Sequence, residues 1–183
     1  TTSYATGDDG ELREGVAWPG PRFTVSADAT LTDNLTGLIW VPNAEVPSYG
    51  TCVGGPKPWQ DALSYIACLN TNNYLGHSDW RMPNRKELRS LIHYGQGAMA
   101  TWLNAQGFYN TNPGQYWSST TYAPSQETAW SIDMVSGEMI GSAKNAPAYV
   151  LPVRAGPAIP NFAPHAAPTG GGIYELNTPV ILG

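Results

Sequence analysis

Asp79, Arg81 and Glu87, with Arg154 far downstream, are residue types that could exchange protons or hold an anion. Proton transfer needs an acid and a base poised over one substrate position. Around this set the sequence supplies no second catalytic component. His77, His93 and His165 are scattered, with no HExxH and no i, i+4 pair for a metal. There is no GxSxG elbow and no phosphate-cradling glycine loop. Ser118-Ser119 has no identifiable base and reads as a hydroxyl pair on a strand. Gly7-Asp8-Asp9-Gly10 lacks the alternating oxygen ligands and distal glutamate of an EF-hand loop, so a polar turn is expected there. No catalytic residue, metal or cofactor is therefore assigned.

The elements that would position these groups are legible. Asp79-Trp80-Arg81-Met82-Pro83 runs as a tight polar turn into Asn84, a good N-cap, and Glu87 three residues on completes a capping-box pattern. Pro83 excludes helix upstream. Leu88, Leu91 and Ile92 form the buried face of the predicted helix, and Gly95 and Gly97 end it. An earlier helix is expected from Trp59 to about Asn70, with Trp59, Ala62, Leu63, Ile66 and Leu69 on one apolar stripe. Cys68 lies off that stripe, placed to bond Cys52 in the preceding loop, so a cystine is expected rather than a reactive thiol. Thr30–Asp33 and Leu38–Val41 flank Asn34-Leu35-Thr36-Gly37 as a β-hairpin. Asn34-Leu35-Thr36 also matches a glycosylation sequon. Residues 98–108 suggest a short helix carrying Met99, Trp102 and Leu103.

From Gln115 the pattern turns to β. Tyr116–Tyr122 is rich in strand formers, and Trp130, Ile132 and Met134 alternate with Ser131 and Asp133. Ser136-Gly137 turns the chain into 138–141. Tyr149, Leu151 and Val153 alternate again, with Pro152 arguing against a central position in a sheet. Together these predict an α+β domain over 24–154. An extended arm, 1–23, would be pinned by Trp18 and Phe23. A Pro/Gly/Ala-rich tail, 155–183, closes on apolar residues; Ile173, Tyr174, Val180, Ile181 and Leu182 are the assembly candidates, able to add as a strand to another subunit.

Composition bounds the class. The 183 residues carry a net charge of -5, which argues against binding a phosphate backbone or an anionic membrane. No apolar run approaches the roughly 20 residues needed to span a bilayer. Charged residues are only 13%, while seven Trp and ten Tyr supply large core pieces. With one expected cystine, this fits an extracellular or cell-surface protein. The start at Thr1, with no Met and no apolar leader, predicts either a removed signal peptide or a segment of a longer chain.

With these residues in view, the chain resembles the C-terminal domain family of the Legionella collagen-like protein, the Lcl C-terminal domain. The resemblance rests on Thr32-Asp33-Asn34-Leu35-Thr36-Gly37-Leu38-Ile39-Trp40, Trp59-Gln60-Asp61-Ala62-Leu63, Asp79–Leu88, Tyr116–Tyr122 and Val150-Leu151-Pro152-Val153-Arg154 in that order. Gly7-Asp8-Asp9-Gly10 and Gly15-Val16-Ala17-Trp18-Pro19 resemble the lead-in of bacterial members. The family implies a C-type-lectin-like α+β fold with two main helices and a twisted antiparallel sheet. It implies a secreted or surface protein that binds ligands, sulfated polysaccharide in the named member, often as an oligomer. It also implies that Asp79, Arg81, Glu87 and Arg154 are internal ion pairs that fix turns. Recognition would fall in the late loops, 123–128 and 142–148.

The expectation is a non-enzymatic ligand-binding or adhesion module for a glycan or protein. Tyr122, Gln126, Glu127, Lys144, Asn145 and Tyr149 are its candidate contacts. The alternative is a self-assembling structural subunit of a fibre or surface layer, joined through the two tails.

Overall fold

The computed structural model describes residues 4–12, 17–45 and 47–157. His165 and the assembly candidates Ile173, Tyr174, Val180, Ile181 and Leu182 lie outside the described residues. The fold is α+β, with two antiparallel sheets and short helices. The first sheet has the order β1-β2-β3-β7, from Phe23–Val25, Leu31–Asp33, Ile39–Trp40 and Val153–Arg154. The second has the order β4-β5-β6, from Gln115–Thr121, Thr128–Asp133 and Met139–Ala143. Among the helices, α1 is one turn, Asp9–Leu12; α2 is Trp59–Thr71, α3 Arg85–Arg89 and α4 Met99–Ala105.

The hairpin forms where its turn residues demand it. Leu31 pairs with Trp40 and Thr32 with Ile39. Asp33 Oδ1 accepts from the amides of Leu35 and Thr36, and Oδ2 accepts from the Thr36 hydroxyl, so one carboxylate builds the turn. The Asn34 side-chain amide donates to the Pro21 carbonyl and to Thr24 Oγ1. The nitrogen of the sequon is thus committed to the fold.

Two apolar clusters fill the interior. One places Trp40, Leu88, Leu91, Leu103, Tyr116 and Ile132 between the sheets and the helices α3 and α4. In the other, Ala62, Tyr65, Ile66 and Leu69 of α2 pack on Trp80, Trp117, Val41 and Val150. The stripe expected on α2 is therefore its buried face, with Trp59 and Leu63 at the margin. Burial of its phenol raises the Tyr65 pKa, and burial pushes Tyr74 up to about 12.

The polar turn ties the two sheets together. Arg81 exchanges two backbone hydrogen bonds with Val153 of β7, and the Ser119 amide of β4 donates to the Pro83 carbonyl. The β4–β5 register shifts between Trp117 and Thr121, which frees Ser119 for that bond. The Asn70 side chain closes the turn from α2, donating to the Trp80 carbonyl and accepting from its amide.

Two expectations need correction. Helix α3 ends at Arg89, well before Gly95, although Leu91 and Ile92 are buried as predicted. The Ser90 carbonyl is taken by the buried Arg22 guanidinium, and the Ser90 hydroxyl caps the Glu87 carbonyl. With that carbonyl engaged from outside, the next turn does not propagate. The alternation Tyr149-Leu151-Val153 also does not make a strand of that length. Only Val153–Arg154 is one, and Val150 through Val153 are all buried. This segment threads between the two sheets, so both of its faces meet core.

Candidate functional site

The set that first suggested acid–base chemistry is spent on structure. Arg81 makes a bidentate pair with Glu87, 2.6 and 2.7 Å. Glu87 also accepts from the Asn84 amide, and its own amide donates to Asn84 Oδ1, which completes the capping box. Arg154 Nε donates to Asp79 at 2.7 Å, and this bond, chiefly, holds the Asp79 carboxyl below the usual carboxylate range. His77 Nε2 meets Asp28 Oδ2 at 2.8 Å, while His93 packs edge-on against Trp18 and Trp102. Ser118 is buried and donates to the Trp130 carbonyl. Among the described residues, no three His, Cys, Asp or Glu side chains gather as a metal set.

Asp28 gives a pH prediction. Its carboxylate accepts from the Thr30 hydroxyl (2.7 Å), from His77 and from the Thr30 amide. These bonds, the Thr30 hydroxyl first, lower its pKa from 3.8 to about 2. A depressed carboxyl pKa stabilises the fold above the unfolded value, and that contribution is lost as pH falls through about 2. A side-chain carboxyl NMR titration should place the Asp28 midpoint near 2, and Thr30→Val should return it toward 3.8.

The late loops gather at one end of the three-stranded sheet and place a tryptophan–cation pair on each of its two faces. The loop between β4 and β5 is closed by bonds among Tyr122, Ser125 and Thr128, and the Lys144 amide donates to the Glu127 carbonyl. The Trp59 amide donates to the Lys144 carbonyl, and Lys57 exchanges two backbone bonds with Ala148. Segment 143–148 is thereby stitched to the start of α2. Lys144 Nζ then lies 4.3 Å from the Trp59 ring centroid and donates to Thr121 Oγ1. On the opposite face of the sheet, Tyr122 meets the Trp130 ring edge-on at 5.0 Å, and the Arg85 guanidinium sits 4.7 Å over the same ring. Gly141 makes room for this packing, since a Cβ there would come within 3.2 Å of Thr128 and touch the Tyr122 ring.

The result is two half-buried tryptophans, each topped by a cation. Among the described residues, neither Arg85 nor Lys144 has a carboxylate within ion-pair distance, whereas Arg22, Arg81 and Arg154 each do. In a chain of net charge -5, these are two separate cations held on aromatic rings without a carboxylate among the described residues. Each cation lies over its ring and offers its remaining donors to an acceptor-rich or anionic group.

Of the candidates read from the sequence, the structure places Tyr122 at the Trp130 pair and Lys144 at the Trp59 pair, on opposite faces of the sheet, and does not bring the two together. Gln126, Glu127 and Asn145 are exposed on the two late loops. Tyr149 stands apart: its ring stacks on buried Tyr116 at 5.3 Å and packs against both core clusters. Trp59, Trp130 and Arg85 were not among the candidates. The two tryptophans had been assigned to an apolar stripe and a strand alternation, and the Arg85–Trp130 contact joins residues with no periodic relation in the sequence.

The family model of the Lcl C-terminal domain matches residues 29–154, which includes both tryptophans, both cations and the whole three-stranded sheet. No curated protein matches the chain.

Proposed function

The chain belongs to the Lcl C-terminal domain family, and on that premise we propose that it is a non-enzymatic glycan-binding module with a C-type-lectin-like fold, working outside the cell or at its surface. The observation behind this reading is the pairing of an aromatic ring with a cation at Trp59–Lys144 and at Trp130–Arg85, next to the late loops. Sugar rings present apolar faces that stack on aromatic side chains, and their hydroxyls or acidic substituents satisfy nearby donors. Gln126 and Asn145 are exposed on the late loops and can offer amides to such hydroxyls. The cystine Cys52–Cys68, with low charge and many aromatics, supports an oxidising, extracellular setting.

A glycan array probed with the folded protein tests this. Arg85→Ala or Lys144→Ala, whichever cation faces the ligand, should weaken a positive signal by about ten- to a hundredfold, since a charge-assisted contact contributes roughly 1.5–3 kcal/mol. Neither side chain sits in the core, so thermal melts should stay close to wild type. An empty array together with a positive protein pull-down sensitive to the same two substitutions would move the ligand class to protein. Binding indifferent to both substitutions would sink the site.

A further inference from the structure

The two sheets end in four edge strands, and three of them are protected. The outer edge of β4 is used by Tyr149, whose amide and carbonyl bond Gln115 and Trp117, and by Pro83. Arg81 covers β7. The β1 edge is only three residues long and follows Pro21 closely. The remaining edge, β6, is different. The bonds Asp133 N–H to Glu138 C=O and Lys144 N–H to Glu127 C=O bracket the β5–β6 ladder. In an antiparallel ladder, Glu138, Ile140, Ser142 and Lys144 then face β5, and the backbone groups of Met139, Gly141 and Ala143 face outward. Among the described residues the Ala143 carbonyl alone of these has another acceptor role, from the Ala146 amide. The strand reads Met-Ile-Gly-Ser-Ala, with no charge, proline or lysine of the kind that normally guards an edge.

We propose that β6 is an acceptor edge, and that its occupant is the segment 173–178 of a neighbouring copy, added as a further strand. This inference is independent of the glycan-binding reading. Within Ile173-Tyr174-Glu175-Leu176-Asn177-Thr178 the four residues Tyr174 to Asn177 alternate apolar and polar side chains, and the segment stops at Pro179, which ends a ladder. Gly141 and Ala143 are small and exposed, so no bulky side chain of theirs blocks the approach of a strand to this edge. The connecting residues 158–172, rich in Pro, Ala and Gly, can span about 45 Å at roughly 3 Å per residue. A domain of this size has a radius of gyration of about 14 Å, so that reach extends to a neighbour. Direct β6-to-β6 pairing is less favoured. Its complementary Glu138–Lys144 contacts would draw Lys144 away from Thr121 and Trp59, where it is already engaged.

The test uses the full chain in three forms: wild type, Gly141→Pro, which removes an outward N–H, and the double variant Tyr174→Lys/Leu176→Lys. Sedimentation velocity should show concentration-dependent association of wild type and monomers of each variant alone. An equimolar mixture of the variants should stop at heterodimers, because one retains the donor and the other the acceptor. Amide exchange at Met139, Gly141 and Ala143 should be at least about tenfold slower in associated wild type than in the double variant. That readout decides the matter even if Gly141→Pro fails to fold. Monomeric wild type at every concentration overturns the proposal. So does a double variant that still associates, which would point to β6-to-β6 pairing or another surface.

Discussion

Replacing Asp33 with alanine should lower the unfolding free energy by about 3–5 kcal/mol, the range for removing one partner of a buried ion pair. Both side chains of the Arg22–Asp33 pair are fully buried. Arg22 Nε and Nη2 each donate to the carboxylate at 2.7 Å, and Nη2 also donates to the Ser90 carbonyl. The guanidinium lies 4.4 Å from the Trp18 ring and 4.9 Å from that of Phe23. Deleting Asp33 leaves this cation enclosed by aromatic rings with no counter-charge, and it also strips the hairpin turn of its acceptor. Urea denaturation followed by tryptophan fluorescence should show the midpoint falling by about 2 M. The double variant Arg22→Met/Asp33→Asn should recover part of the loss, because no charge is then buried and the amide can still serve the turn. A single Asp33→Ala variant within about 0.5 kcal/mol of wild type would contradict the buried pair, since that is the range of ordinary surface substitutions.

The Cys52→Ala/Cys68→Ala variant should lose about 3 kcal/mol, the chain-entropy value for a loop of this length. The bridge closes a sequence separation of 16 with Cα atoms 5.7 Å apart. Cys52 is buried, and the Asn72 side-chain amide points at both sulfurs. The enclosed loop has other ties, including the Tyr65 hydroxyl to the Pro47 carbonyl, so it should loosen rather than detach. Thermal melts should fall by about 10 °C. Reductant should bring wild type down to the variant and leave the variant unchanged. Because the loop leads to Lys57 and Trp59, glycan binding should weaken along with stability.

How much of this was legible depends on the range of each interaction. The capping box at Asn84 and Glu87, the hairpin turn at Asp33–Gly37 and the α2 stripe are contacts within a few residues, and their spacing announces them. The cystine was readable because Cys68 falls off its helix's buried stripe. The early end of α3 was not, because it depends on Arg22 reaching Ser90 across the fold. The strand expected through Tyr149 misled for a related reason: alternation signals a half-buried strand, whereas this segment is enclosed on both sides by sheets that its own sequence does not mention. The family assignment was also readable, since the polar turn and its flanking motifs occur in a fixed order.

The sequence by itself determined the class, the local elements and the structural fate of the polar turn. Its residues answer to neighbours along the chain, and side-chain chemistry at short separation leaves few alternatives. Only the tertiary structure decided which tryptophans carry cations and which strand edge is left unpaired among the described residues. Those facts depend on pairings between residues far apart: Arg85 with Trp130, Lys144 with Trp59, Arg81 with Val153. A tryptophan in a core stripe and a tryptophan under a lysine have the same sequence signature. What separates them is the packing of the other strands, which covers one ring and leaves the other half in solvent.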